Sequence, residues 1–60
     1  MKFYFAETKD EYYQAVILGD NEQDMIEALN EQLGLEEEWN LTELSELDIN
    51  TENPIVLANF

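Results

Sequence analysis

The stretch "GDNEQDMIEALNEQLGL", residues 19–35, decides the fold. Asp20 is followed three residues later by Gln23, the spacing of a capping box, in which side chains take up free amides of the first helical turn. Met25, Ile26, Leu29 and Leu33 then recur at about 100° per residue, which lines one face of a helix. Asp24, Glu27 and Glu31 fall on the opposite side. Gly34 can turn left-handed at the helix end, and Leu35 beyond it can fold back on Leu29, as a Schellman motif prefers. The segment predicts an amphipathic helix of roughly three to four turns.

Working outward towards the N-terminus, "YYQAVIL" (12–18) is aromatic and β-branched and reads as a strand. A helix is the alternative there, since Tyr12, Tyr13, Val16 and Ile17 also fit a helical stripe. "KFYFAE" (2–7) reads as a strand paired to it, with the polar "TKDE" as the turn. On the C-terminal side, "EEEWNLTELSEL" (36–47) has two readings. Trp39 and Leu41 alternate with polar residues as a strand does, with Leu44 and Leu47 marking a bulge or the strand's end. Alternatively Asn40 and Glu43 cap a short helix carrying Leu41, Leu44 and Leu47. The strand is preferred. "INTENP" (49–54) is loop-like, and "IVLANF" (55–60) closes the chain as a strand with Pro54 at its start. The expected class is therefore α+β, a ββαββ antiparallel sheet with one helix on one face, with ββααβ as the alternative.

Sixty residues make one domain, 1–60. A chain this short buries only about 60% of the surface its unfolded form exposes, so its stability is marginal. It contains no Cys and no His, so neither a disulfide nor a common zinc site can reinforce it. The lack of Cys suits a reducing cytosol. Hydrophobic residues make up 45% of the chain, enough to exclude compositional disorder. A single helix covers one face of a sheet, yet both faces of the first two strands are apolar. Tyr13, Ala15 and Ile17 alternate with Tyr12, Val16 and Leu18, and Phe3 and Phe5 with Tyr4 and Ala6. Either the sheet curls around the helix, or its second face meets a partner or another copy of the chain.

Fifteen acidic residues stand against two Lys, a formal charge of −13, and nothing after Lys9 is cationic. Such a charge excludes direct binding of duplex nucleic acid, which needs Lys and Arg to displace counterions from phosphate. It also argues against an anionic membrane surface. No apolar run approaches the ~20 residues of a membrane span, and the four-residue apolar stretch near the N-terminus is too short for a signal peptide. "NLT" (40–42) matches the glycosylation sequon but, without a secretion signal, reads as chance.

Catalytic machinery is scarce. Without His, Cys or Arg, and with Ser45 as the one serine, no nucleophile has a candidate base and no anion a clamp. No catalytic, cofactor-binding or metal-ligating residue is assigned. Asp48, Asn50 and Glu52 begin the alternation of a calcium loop, but the pattern fails afterwards. Asn53 stands where the sharp turn needs Gly, Pro54 follows, and Asn59 replaces the bidentate Glu.

The carboxylates themselves remain. Asp24, Glu27 and Glu31 form a line with steps of about 4.5 and 6 Å along the helix axis. Glu27 and Glu31 are like charges four apart, an arrangement that weakens a helix by a few tenths of a kcal/mol. Glu36, Glu37 and Glu38 follow directly. Duplex DNA carries about one charge per 1.7 Å of axis, and carboxylates at several-ångström spacing can imitate that field. These six acids form the expected contact surface, and the expected partner is the basic surface of a nucleic-acid-binding protein. The alternative is a merely solvated acidic surface on a small structural or homodimeric protein.

In length, charge and the strand running straight into a capped acidic helix at "YYQAVILGDNEQDMIEALNEQLGL", the chain resembles small acidic proteins of phages and other mobile elements. These include anti-CRISPR, anti-restriction and DNA-glycosylase-inhibitor proteins, several of which are DNA mimics. The resemblance implies a viral protein acting in the cytoplasm of a bacterial host, an inhibitor that blocks an effector by occlusion. Carboxylates would then occupy its Lys and Arg sites while Tyr or Trp anchors supply dry contacts. It assigns no role to any single position.

Overall fold

The computed structural model describes residues 1–46 and 53–60. The element order is β1 (Lys2–Thr8), β2 (Gln14–Gly19), α1 (Glu22–Leu33), β3 (Trp39–Glu46) and β4 (Ile55–Asn59). The four strands form one antiparallel sheet in the order β3-β1-β2-β4. This is the expected α+β, ββαββ arrangement; because 39–46 is a strand, the ββααβ alternative falls. Leu47, most of the 49–54 loop and the calcium-loop positions Asp48, Asn50 and Glu52 lie outside the described residues.

β2 and β3 both run antiparallel to β1 and flank it, so they are parallel to each other. Strands in that relation cannot be joined by a hairpin and need a crossover, which α1 supplies. β1 and β2 are joined directly, by a tight turn built around Thr8 and Asp10. The buried Thr8 hydroxyl donates to Asp10 Oδ1 (2.6 Å) and accepts from the Tyr13 amide (3.0 Å). The Tyr12 amide donates to the same Asp10 oxygen (3.0 Å), and the Glu11 amide to the Thr8 carbonyl (2.8 Å). Glu11 turns the chain with a φ of 62°, unusual for a residue with a Cβ. This turn takes up Tyr12 and Tyr13, so β2 begins at Gln14 rather than at Tyr12 as the sequence suggested.

The helix begins one residue later than the capping-box reading placed it. Asn21, not Asp20, is the N-cap: its side chain accepts from the Asp24 amide (3.0 Å). Asp20 instead faces the terminal amine of Met1 at 3.6 Å, and Gln23 reaches forward to Glu27 Oε1 (3.4 Å). The end is as expected. Gly34 is left-handed at φ 68°, and the amides of Gly34 and Leu35 both donate to the Asn30 carbonyl.

α1 lies over β2 and β4. Met25 and Leu29 point inward onto Ala6, Ala15 and Ile17, with Trp39 completing the buried cluster. Ile26, Leu33 and Leu35 pack around it, and so do Tyr4 and Leu41 from the β1–β3 side. Small residues at the paired positions Ala6 and Ala15 leave space above the sheet centre that the two helix side chains fill. Gly19 serves the same end. A Cβ there would stand 2.6 Å from Met25 Cγ, so the glycine lets the helix start close against the sheet.

Each edge strand carries an irregularity. Phe3 pairs with Ser45 and Tyr4 with Glu43, so Leu44 is the extra residue of a bulge in β3. The sequence offered Leu44 and Leu47 as marking a bulge or the strand's end, and the bulge falls at Leu44. Val16 pairs with Ala58 and Ile17 with Val56, which leaves Leu57 as the extra residue in β4.

Candidate functional site

Helical periodicity puts Asp24, Glu27 and Glu31 on the side of α1 away from Met25 and Leu29, and all three are exposed. They line an open cleft of about 370 Å³ together with Ala28 and Gln32 of the same helix and with Asn53 and Pro54 before β4. Their surroundings are short of positive charge. The two Lys and the terminal amine form their ion pairs elsewhere: Lys2 with Glu43 (3.0 Å), Lys9 with Glu38 (3.2 Å) and Met1 with Asp20. The hydrogen bond and charge of Glu43 hold Lys2 above its ordinary pKa.

The helix itself explains only part of this acidity. Glu22 and Asp24 sit in its first turn, where the partial positive charge of the N-terminus favours them. Glu31 sits in the last turn, where a cation would be favoured, and that turn has no basic residue. Asp24 therefore has a folding reason to be acidic, whereas Glu31 does not.

The second acidic group is arranged differently. Glu36, Glu37 and Glu38 belong to the connection before β3, not to a strand, so the alternation of a strand does not apply to them. Glu36 and Glu38 are exposed and Glu37 is half-buried. The main chain of Glu37 is clamped by Asn30, whose Nδ2 donates to the Glu37 carbonyl (3.0 Å) and whose Oδ1 accepts its amide (3.1 Å). Glu38 is held by Lys9 through its side chain and by the Lys9 amide through its carbonyl (3.1 Å). The six expected residues thus divide into a helical line without an ion pair among the described residues and a fixed connection in which one charge is already compensated.

Sequence reasoning missed Asn30. Its Oδ1 also accepts from the Trp39 indole nitrogen (2.8 Å), so one side chain ties helix, connection and β3 together. The only local signal was a polar residue at the edge of the apolar stripe. Among the described residues no three His, Cys, Asp or Glu side chains are grouped to hold a metal ion, and no helix is long and apolar enough to cross a membrane. No family model matches the chain, and neither a curated protein nor a solved structure is significantly similar to it.

Proposed function

We propose that this chain is a non-enzymatic binding protein that occupies the nucleic-acid-binding groove of a basic protein by presenting carboxylates where phosphates would lie. The observation that carries this reading is Glu31. It continues the line of Asp24 and Glu27 into the end of the helix where helix stability disfavours an acid. A line kept at that cost is expected of a surface that meets cations on another molecule. Glu36 extends the acidic surface past the helix end, whereas the charge of Glu38 is already compensated by Lys9. The target class is a CRISPR, restriction or DNA-repair effector, met in the cytoplasm of a bacterial host.

The test is capture from bacterial lysate at low salt, with elution by a salt gradient and identification by mass spectrometry. The variant D24N/E27Q/E31Q, which keeps side-chain size and removes charge, is run beside the unaltered chain. The expected result is one nucleic-acid-handling protein that elutes late, is lost with the variant and is displaced by duplex DNA or RNA. Early elution of many ribosomal and other basic proteins, equal for both chains, would overturn the reading.

A further inference from the structure

We propose that the sheet face turned away from α1 is the interface of a homodimer, in which two copies stack face to face and carry their acidic helices on the outside. Strand alternation defines this face. Tyr4, Ala6, Ile17 and Val56 belong to the helix-side core, which turns Phe3, Phe5, Val16, Leu18, Ile55 and Ala58 the other way. Leu18 is buried, the phenylalanines and Val16 are half-buried, and Ile55 is 40% exposed. Phe60, 73% exposed, follows Ala58 on the same alternation, and its amide is tied to the Gln14 carbonyl (2.8 Å).

Charge identifies the occupant. On the paired strand positions of this face the one ionisable side chain is Glu7, at the far end, where Gln14 Nε2 donates to it (2.8 Å). The β3 positions there are Asn40, Thr42 and Ser45, opposite Glu7, Phe5 and Phe3, and none of them is charged. Among the described residues, the paired positions of this face carry one of the chain's 15 acids. A basic partner would find nothing to pair with here, whereas a second copy needs a face without charge. Stacked sheets lie about 10 Å apart, which puts the two helix layers on the order of 30 Å apart. That exceeds the ~8 Å Debye length several-fold, so at physiological salt the two acidic sides oppose association only weakly.

The edges are poorer candidates, because the bulges at Leu44 and Leu57 interrupt the regular ladder an added strand would extend. In area, four strands of about five residues at ~4.8 Å spacing offer a footprint of roughly 300–350 Å² before corrugation. With Phe60 included, two copies bury on the order of 1,000 Å², the lower limit of a specific interface. The dimer is therefore expected to dissociate in the micromolar range rather than below it.

The proposal does not depend on the charge-mimic reading, and its test separates the two. Sedimentation equilibrium is measured up to about 1 mM chain, where interactions of only ~4 kcal/mol are populated. The expected result is twice the chain mass of 7.0 kDa at high concentration, with association strengthened by added salt. The variant I55K is expected to weaken the dimer roughly ten-fold or more, since it places like charges in the interface. Lys lowers the net negative charge, so a loss cannot be blamed on a larger overall charge and must arise at the interface itself. Should I55K fail to fold, as judged by circular dichroism, amide shifts of the unaltered chain on dilution decide instead. They are expected to concentrate on Phe3, Phe5 and Val16. A monomer at 1 mM would overturn the proposal, and so would shifts confined to α1 or a dimer indifferent to a folded I55K. D24N/E27Q/E31Q should leave the dimer intact whatever it does to capture of a target.

Discussion

Asn30 makes one side chain serve three neighbours: the Trp39 indole, the Glu37 amide and the Glu37 carbonyl. Replacing it by Ala leaves the indole N–H of a residue only 3% exposed without its acceptor. An unsatisfied buried donor costs about 1–3 kcal/mol, and each lost bond to Glu37 adds on the order of 1 kcal/mol. N30A is therefore expected to destabilise the chain by about 3–5 kcal/mol in urea titrations, with Trp39 emission shifted to the red before unfolding. A cost below about 0.5 kcal/mol would mean that water replaces all three bonds. Glu11 offers the opposite case. A side chain in the left-handed region costs roughly 1–2 kcal/mol, and Gly adopts it freely at some cost in chain entropy. E11G should raise stability by about 0.5 kcal/mol, and a lower melting temperature would show that the glutamate makes a compensating contact.

At the scale of elements, the helix was legible because its signals are local. An apolar stripe at helical spacing and a left-handed Gly34 lie within one short segment, and both read correctly. The cap was displaced by one residue because Asp20 and Asn21 are both capable caps, and only the path of the chain out of β2 selects between them. The turn was harder. Tyr12 and Tyr13 have the composition of a strand, but Thr8 and Asp10 draw their amides into the turn. Asn30 was not legible, since its partners Glu37 and Trp39 become neighbours only after the chain reverses at Gly34. Of the acidic surface, the helical line followed from periodicity. The fixing of Glu38 by Lys9 did not, because it joins two connections far apart in sequence. Helix α1 also gives a direct comparison of stability with function. E31K removes the like-charge pair with Glu27 and puts a cation at the helix C-terminus, each change worth a few tenths of a kcal/mol. The variant should be more stable by about 0.5–1 kcal/mol and should bind the proposed target more weakly. Stability unchanged or lowered would show that Glu31 has a folding role, and the reading of the acidic line would lose its main support.

For the whole molecule, acid and salt act on the same excess charge by separable routes. Lowering the pH towards the sequence pI of about 4.1 removes self-repulsion and should first raise the melting temperature. Asp10 then limits the gain. The Thr8 hydroxyl, and after it the Tyr12 amide, hold its carboxyl below the ordinary value. A depressed folded pKa gives stability that is present above the unfolded value of about 3.9 and is lost as the pH falls through the folded one. The stability difference between the unaltered chain and D10N should therefore be constant above about pH 5 and shrink below about pH 4. A constant difference down to pH 2 would remove Asp10 from the acid limb. Salt at neutral pH gives the broadest test, because the acidic side and the neutral sheet face predict opposite signs. Screening relieves repulsion within one chain and between two copies, so both melting temperature and self-association should rise with NaCl. Capture of a basic target depends on unscreened attraction and should weaken over the same range. If self-association fell with salt as capture does, the copies would be meeting through charged groups, and the separation of an acidic binding side from a neutral pairing face would be wrong.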